Sequence, residues 1–167
     1  MVQLGLKVFT TLVFCLSLSS ITAFAEDAQY RGIKGWSTKG CGHENDGFSC
    51  VRYVKNYDGD TVTFDIPSVH PLIGDEIMVR VKGIDTPEKR TRNDCEKRMA
   101  EIAQKEVESM MTNAKRIDLI NTERGKYFRV IADIFIDGQS LADHLLKKKL
   151  AVRYQGGTKP DIDWCGE

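Results

Sequence analysis

Alternating apolar and polar residues predict three short strands in the first half of the domain. In the second of them, Val62, Phe64 and Ile66 share one face and the polar residues between them share the other. A tight turn, 57–60, joins the first two strands, and a loop with two prolines and a glycine, 67–75, precedes the third. The three predicted strands are 51–56, 61–66 and 77–84.

The pattern then changes to the period of a helix. Apolar residues recur every three or four positions and mark one helix face, at Met99, Ala103, Val107, Met110 and Ala114. Asn93 followed by Glu96 resembles a capping box, so we expect the helix to begin there, after a charged loop over 86–94.

Two further strands, 116–121 and 128–136, are predicted beyond this helix, the second of them buried on both sides. Asp137-Gly138 should turn the chain. Ser140 is a plausible N-cap for a short helix over 141–149, whose lysines at the C-terminal end suit the helix dipole.

The order of elements favours an α+β fold that is mainly β. Five short strands with a helix between the third and fourth fit an OB-fold, a five-stranded Greek-key barrel, here with two or three helices. A parallel α/β sheet is the alternative. We disfavour it because the loops between the first three strands are too short for parallel crossovers.

The first 25 residues have the composition of an export signal. Val8 to Phe24 is mostly apolar, Lys7 is the only charge, and Ala23-Phe24-Ala25 is a small-x-small cleavage site. A transmembrane anchor is the alternative, but about 17 residues broken by Ser and Thr are short for a span. We predict a signal peptide over 1–25, an irregular arm over 26–48 and one domain over 49–167. The mature chain would be secreted or periplasmic, with no membrane association.

Charge and cysteines add two constraints. The chain has 24 basic and 24 acidic side chains, so bulk charge does not favour nucleic acid and any such binding must come from a local site.

Four cysteines remain after the signal, which suggests two disulfides with three possible connectivities. Free thiols or a metal knuckle that includes His43 are alternatives. Nearness in sequence favours Cys41–Cys50, which leaves Cys95–Cys165.

The polar residues around the second and third strands suit metal-assisted phosphodiester cleavage. Asp60 and Asp85 end a turn and a strand, and both could reach one hard cation if these strands pair. Glu88 could hold or deprotonate a water. The guanidiniums of Arg80 and Arg129 would match charge that develops on phosphoryl oxygens.

Each feature is weak by itself, since Asp-Gly-Asp is a common turn and a strand arginine is usually solvated. Glycine and glutamate are missing from the positions that an EF-hand requires. The three histidines, His43, His70 and His144, fall outside these motifs, so a histidine-based nuclease mechanism fits poorly.

In combination the motifs closely resemble the thermonuclease family, whose type member is staphylococcal nuclease. The resemblance covers roughly residues 50–154, and the tail 154–165 looks like exported bacterial members. The motifs that carry it are Tyr57-Asp58-Gly59-Asp60-Thr61-Val62, Arg80, Asp85-Thr86-Pro87-Glu88 and Lys126-Tyr127-Phe128-Arg129.

The resemblance implies an OB-fold enzyme with Ca²⁺ as cofactor that cuts DNA and RNA and leaves 3′-phosphates. It implies a monomer with no stable protein partner. The implied roles are metal ligation by Asp60, Asp85 and the Thr86 carbonyl, general-base action by Glu88, phosphate contact by Arg80 and Arg129, support of the metal ligands by Asp58, and nucleotide contact by Lys126, Tyr127 and Tyr154.

Two departures from the type enzyme concern the nucleotide pocket and a loop. Phe128 replaces a glycine, and the loop 67–75 is longer. Two rival functions remain: an OB-fold module that binds nucleic acid without cutting it, and a secreted structural or inhibitor-binding domain. Degenerate binding modules typically lose the arginine or acidic positions, whereas here Asp60, Arg80, Asp85, Glu88 and Arg129 are all present.

Overall fold

A computed structural model describes residues 40–44, 46–125, 129–159 and 161–166. The predicted signal peptide and most of the predicted arm lie outside these residues. The strands are β1 (His43–Glu44), β2 (Gly47–Phe48), β3 (Arg52–Asn56), β4 (Thr61–Asp65), β5 (Ile77–Val81), β6 (Ile84–Asp85), β7 (Ile117–Arg124), β8 (Val130–Ile136), β9 (Gln139–Ser140) and β10 (Val152–Arg153). The helices are α1 (Pro71–Gly74), α2 (Asp94–Asn113) and α3 (Leu141–Lys147).

The fold is mixed α+β, built on one large and mainly antiparallel sheet. Its order in the described residues is β1-β2-β7-β8-β5-β4-β3, with β9 beside β8. Strands β3, β4 and β5 form an antiparallel meander, whereas β5 and β8 are parallel, with Val79 opposite Val130. The described residues show no strand pairing that closes this sheet on itself, so the closed barrel stays a prediction.

The hydrophobic core lies between the sheet and the faces of α2 and α3. Val62 and Phe64 of β4 are fully buried, as the alternation predicts. Thr61 and Thr63 on the other face are buried as well, at 6% and 7% exposure. The sequence predicted only that they take the opposite face. They are covered because that face lies within the cleft described below.

The predicted third strand, 77–84, is divided in two by a turn. Gly83 has a φ of 78°, which glycine adopts at no steric cost, and the chain changes direction there. Strand β5 therefore ends at Val81, and β6 forms a separate pair with β10, in which Asp85 lies opposite Val152. This turn brings Asp85 back towards Arg80.

The predicted loop 67–75 contains the single helical turn α1. Pro71 begins it, where its missing N–H costs nothing, and His70 caps it by accepting a hydrogen bond from the Leu72 amide. Leu72 and Ile73 are largely exposed. None of the helices in the described part of the chain has the length and apolar content that crossing a bilayer requires.

Helix α2 begins as predicted, but its capping differs in one contact. The side chain of Asn93 accepts hydrogen bonds from the amides of Cys95 and Glu96. In a capping box, Glu96 would bond back to the Asn93 amide. Instead its carboxylate accepts from the Glu88 amide at 3.1 Å, because the preceding loop folds over the start of the helix. Glu96 thereby fixes the position of Glu88.

The four cysteines of the described residues form two disulfides, Cys41–Cys50 and Cys95–Cys165, with Cα atoms 5.2 and 6.3 Å apart. This is the pairing that the sequence favoured. The first bond lies beside the short hairpin of β1 and β2, part of the segment predicted to be irregular. The second ties the end of the described chain to the first turn of α2.

We expect removal of Cys95–Cys165 to destabilise the fold by roughly 3 to 5 kcal/mol, because it closes a long loop in the unfolded chain. The loop spans 70 residues, against 9 for Cys41–Cys50. Replacing each pair with serine and measuring denaturant unfolding tests this. The short-loop variant is the control and should lose about 2 kcal/mol less. Equal losses would contradict the loop-entropy account.

Candidate active site

The turn between β3 and β4 presents Asp60 to the interior. The carboxylate of Asp58 accepts from the Asp60 amide at 3.1 Å. Asn56, at the end of β3, donates to the carbonyls of Asp58 and Gln104, both at 3.0 Å. A Cβ on Gly59 would lie 2.9 Å from the Thr86 side chain, so only glycine fits there without a shift. The turn is therefore packed against both α2 and the loop after β6.

Arg80 joins the two predicted metal ligands. Its Nη1 donates to Asp60 Oδ1 at 2.7 Å and its Nη2 donates to Asp85 Oδ1 at 2.8 Å. Thr61 and Arg80 are register partners on β4 and β5, which places Arg80 beside the Asp60 turn. The two carboxylates, 25 positions apart in sequence, thus converge on one planar guanidinium.

Asp60 makes further hydrogen bonds through both carboxylate oxygens. Oδ1 also accepts from the Thr61 hydroxyl at 3.1 Å, and Oδ2 accepts from the Thr86 amide at 3.2 Å. Asp60, Asp85 and Thr86 are 2%, 5% and 3% exposed. This degree of burial holds the acidic groups in a fixed arrangement, as a preorganised site requires.

Negative charge in the site is only partly compensated. Burial raises the pKa of Asp60 to about 7, and the charges of Asp58 and Asp85 add to this rise, while Arg80 and the Thr61 hydroxyl oppose it. Burial disfavours the charge of Arg80, but Asp60 and Asp85 together raise the pKa of the guanidinium above its ordinary value. A cation beside these carboxylates would relieve their mutual repulsion.

The donor set suits a hard cation. Asp60 and Asp85 supply carboxylate oxygens, which Ca²⁺ prefers, and the described residues that line the adjoining cleft include neither histidine nor cysteine. The described residues contain no cluster of three or more Asp, Glu, His or Cys side chains with the geometry to bind a metal ion. The ligand set predicted from the sequence, Asp60, Asp85 and the Thr86 carbonyl, stays a prediction, in which water oxygens would complete the coordination.

Glu88 lies at the edge of this group. Its side chain is 49% exposed and forms an ion pair with Lys159. The Lys159 ammonium also contacts Asp85 Oδ1 at 2.9 Å. Sequence reasoning assigned no role to Lys159, and no local signal could have found it, because it lies 71 positions from Glu88.

Asp58, Arg80 and Glu88 line an open cleft of about 610 Å³, and Arg80 connects this cleft to the buried Asp60 and Asp85. Arg129 comes from the chain just before β8 and lines the same cleft as Arg80 and Glu88, and its contact with phosphate stays a prediction. Tyr57 and Arg90 line the cleft as well, and the Arg90 guanidinium lies 5.8 Å from the centre of the Tyr57 ring. The described residues that line the cleft are Lys55, Asn56, Tyr57, Asp58, Thr61, Thr63, Met78, Arg80, Glu88, Arg90 and Arg129.

Three residues are predicted to contact the nucleotide: Lys126, Tyr127 and Tyr154. Lys126 and Tyr127 lie outside the described residues. The Tyr154 hydroxyl donates to the Gly157 carbonyl at 2.7 Å, so it supports the tail turn. The predicted role of Tyr154 at the substrate stays a prediction.

The three histidines have contacts elsewhere in the described structure. The ring of His43 packs edge-on against Phe48, and His70 caps α1. His144 lies 2.7 Å from a carboxylate oxygen of Glu106 on α2.

Asn56 and Arg90 were also missed by sequence reasoning. Asn56 is 7% exposed and forms reciprocal hydrogen bonds with Gln104, whose side chain donates to the Asn56 carbonyl at 3.1 Å. Asn56 ends a strand, and the sequence around it does not indicate that it pairs with Gln104, which lies 48 positions away. Arg90 lies in a charged loop, where several cations looked equivalent.

Comparison of the chain with known proteins identifies its family. Residues 78–163, slightly more than half of the 167-residue chain, match the family described as staphylococcal nuclease homologue. The match includes Arg80, Asp85, Glu88 and Arg129, whereas Asp60 precedes it. The chain is 34% identical over 105 residues to the SPbeta prophage-derived endonuclease YokF of Bacillus subtilis (strain 168). That stretch is 60% of this chain and 33% of YokF, so the chain spans about a third of the length of this curated relative. The chain belongs to the staphylococcal nuclease homologue family.

Proposed function

We propose that this chain is an exported, calcium-dependent endonuclease that hydrolyses DNA and RNA and leaves 3′-phosphates. The observation that carries the proposal is the fork of Arg80, which joins Asp60 and Asp85 at 2.7 and 2.8 Å beside a cleft lined by Glu88 and Arg129. Family membership and the similarity to a protein named as an endonuclease support it.

The acidic and basic residues divide the chemistry between them. Asp60, Asp85 and the Thr86 carbonyl would hold Ca²⁺, which when bound would supply positive charge for the phosphodiester. Arg80 and Arg129 donate hydrogen bonds to the phosphoryl oxygens as negative charge accumulates on them. Glu88 takes a proton from the attacking water, for which its partial exposure leaves room.

Asp58 supports this arrangement by fixing the backbone of Asp60. Lys126, Tyr127 and Tyr154 contact the nucleotide in this proposal, which rests on family resemblance for all three. On the same resemblance, we propose that the sheet closes into an OB-fold barrel and that the protein is a monomer. The two disulfides of the mature chain suit an oxidising compartment, which supports a secreted or periplasmic location.

A cleavage assay with end analysis tests the function. The purified chain, incubated with calcium and either plasmid DNA or single-stranded RNA, should cut both. Phosphatase treatment should then be needed before the 3′ ends can be extended or ligated. Nucleic acid that is bound but left intact would favour the binding-module alternative. Neither binding nor cleavage would favour a structural or inhibitor-binding domain.

A further inference from the structure

Lys159 occupies the position between a predicted metal ligand and the predicted general base. Its ammonium lies 2.9 Å from Asp85 Oδ1 and is also bonded to Glu88. Asp85 is almost fully buried, whereas the side chains of Lys159 and Glu88 are 42% and 49% exposed. The lysine therefore reaches from the surface to the edge of the buried acidic group.

The segment that carries Lys159 is anchored on both sides. Before it, the Tyr154 amide donates to the Gly83 carbonyl at 2.9 Å, beside the turn that separates β5 from β6. After it, Cys165 is bonded to Cys95 in the first turn of α2. The ammonium is thus held close to the carboxylates at a high effective concentration.

The segment also has a means of moving. Gly156 and Gly157 have φ values of 92° and 93°, and a Cβ on either would meet no atom within 4 Å. Glycines in open space permit the backbone to change conformation at low steric cost. Lys159 can therefore leave the carboxylates without the disulfide breaking.

These contacts conflict with the proposed chemistry as long as they persist. The Lys159 ammonium occupies Oε1 of Glu88 and competes there with the attacking water, which must reach the same carboxylate to give up its proton. The ammonium also repels a second cation from the oxygen of Asp85 that it contacts.

We propose that Lys159 is a tethered competitor for the divalent cation, whose ammonium holds Asp85 and Glu88 until the cation displaces it. This rests on the proposed function, since it assigns a resident cation to Asp60 and Asp85. The ammonium compensates part of the negative charge in the metal-free protein, and its withdrawal frees Glu88 at the moment the cation arrives. Lys159 is a positioning residue in this scheme.

Calorimetric titration with Ca²⁺ alone, without substrate, tests the proposal on the full mature chain. Lys159→Met should bind Ca²⁺ about three- to tenfold more tightly than the wild type, because the ammonium no longer competes for Asp85 Oδ1 and Glu88, while Arg80 still contacts Asp85. Lys159→Arg keeps a cation on the segment and should stay close to the wild type. Lys147→Met, in the last turn of α3, removes the same charge away from the cleft and should have no effect.

Unchanged or weaker Ca²⁺ binding by Lys159→Met would overturn the proposal. A comparable gain in Lys147→Met would also overturn it, because net charge would then account for the change. Thermal unfolding checks that each variant folds, and Lys159→Gln replaces the methionine variant if that one does not. A wild type that neither binds Ca²⁺ nor cleaves would instead refute the proposed function.

Discussion

Arg80→Lys is expected to slow cleavage by at least about a hundredfold, or roughly 2.7 kcal/mol in the barrier, while the chain stays folded. Lysine keeps the positive charge but loses the planar fork. In the structure that fork holds Asp60 and Asp85 through two different nitrogens. A single ammonium cannot serve both carboxylates and a phosphoryl group with the same geometry. Steady-state cleavage rates and thermal unfolding measure the two effects.

Arg116→Lys is the matched control for this substitution. Arg116 pairs with the buried Asp118, and the side-chain exposures of 21% and 2% are close to the 20% and 3% of Arg80 and Asp60. Neither Arg116 nor Asp118 lines the candidate site. We therefore expect similar changes in stability from the two lysine variants and loss of activity from only one. If Arg80→Lys loses activity merely in proportion to stability, its role is structural.

Removal of calcium should abolish cleavage, and adding it back should restore activity in full. Two buried carboxylates, one of them with a pKa raised to about 7 by burial and by its acidic neighbours, form a site that needs positive charge. Without the ion, the arginines alone face the charge of the phosphoryl group. The rate in excess chelator, followed by titration with Ca²⁺, measures this dependence. Full activity in chelator would refute the assignment.

Asp60→Asn should abolish cleavage even at saturating calcium. An amide oxygen carries no formal charge, whereas the proposed calcium site depends on the negative charge of the Asp60 carboxylate. Asp118→Asn is the matched control, since Asp118 is also 2% exposed but pairs with Arg116 instead of Arg80. It should alter stability, through the hydrogen bond from the Cys50 amide at 2.9 Å, and leave calcium affinity unchanged. Equal calcium affinity in the wild type, Asp60→Asn and Asp118→Asn would exclude Asp60 as a ligand.

Local features were predictable because their causes lie within a few residues. The alternation around Val62 and Phe64 predicted β4, and Asn93 and Ser140 cap α2 and α3 as expected. Strands β7 and β8 and helix α3 differ from the predicted elements mainly at their ends. Helix α3 stops at Lys147 and β7 continues to Arg124, because pairing with β8 extends it.

The sequence by itself determined which residue types could do the chemistry, and the resemblance of its motifs to a known family attached roles to Asp60, Arg80, Asp85, Glu88 and Arg129. Tertiary structure decided how they meet. The Gly83 turn returns Asp85 to Arg80, and Glu96 leaves its expected capping contact to hold Glu88.

The position of Lys159 was also decided only by the folded chain. A lysine in a Gly-rich tail has no local pattern that indicates a partner, because its contacts depend on a disulfide and a strand pair formed with distant residues. Periodicity and caps report interactions across three or four positions. The contacts of Lys159 span 71 positions, so they follow from the packing of the whole domain.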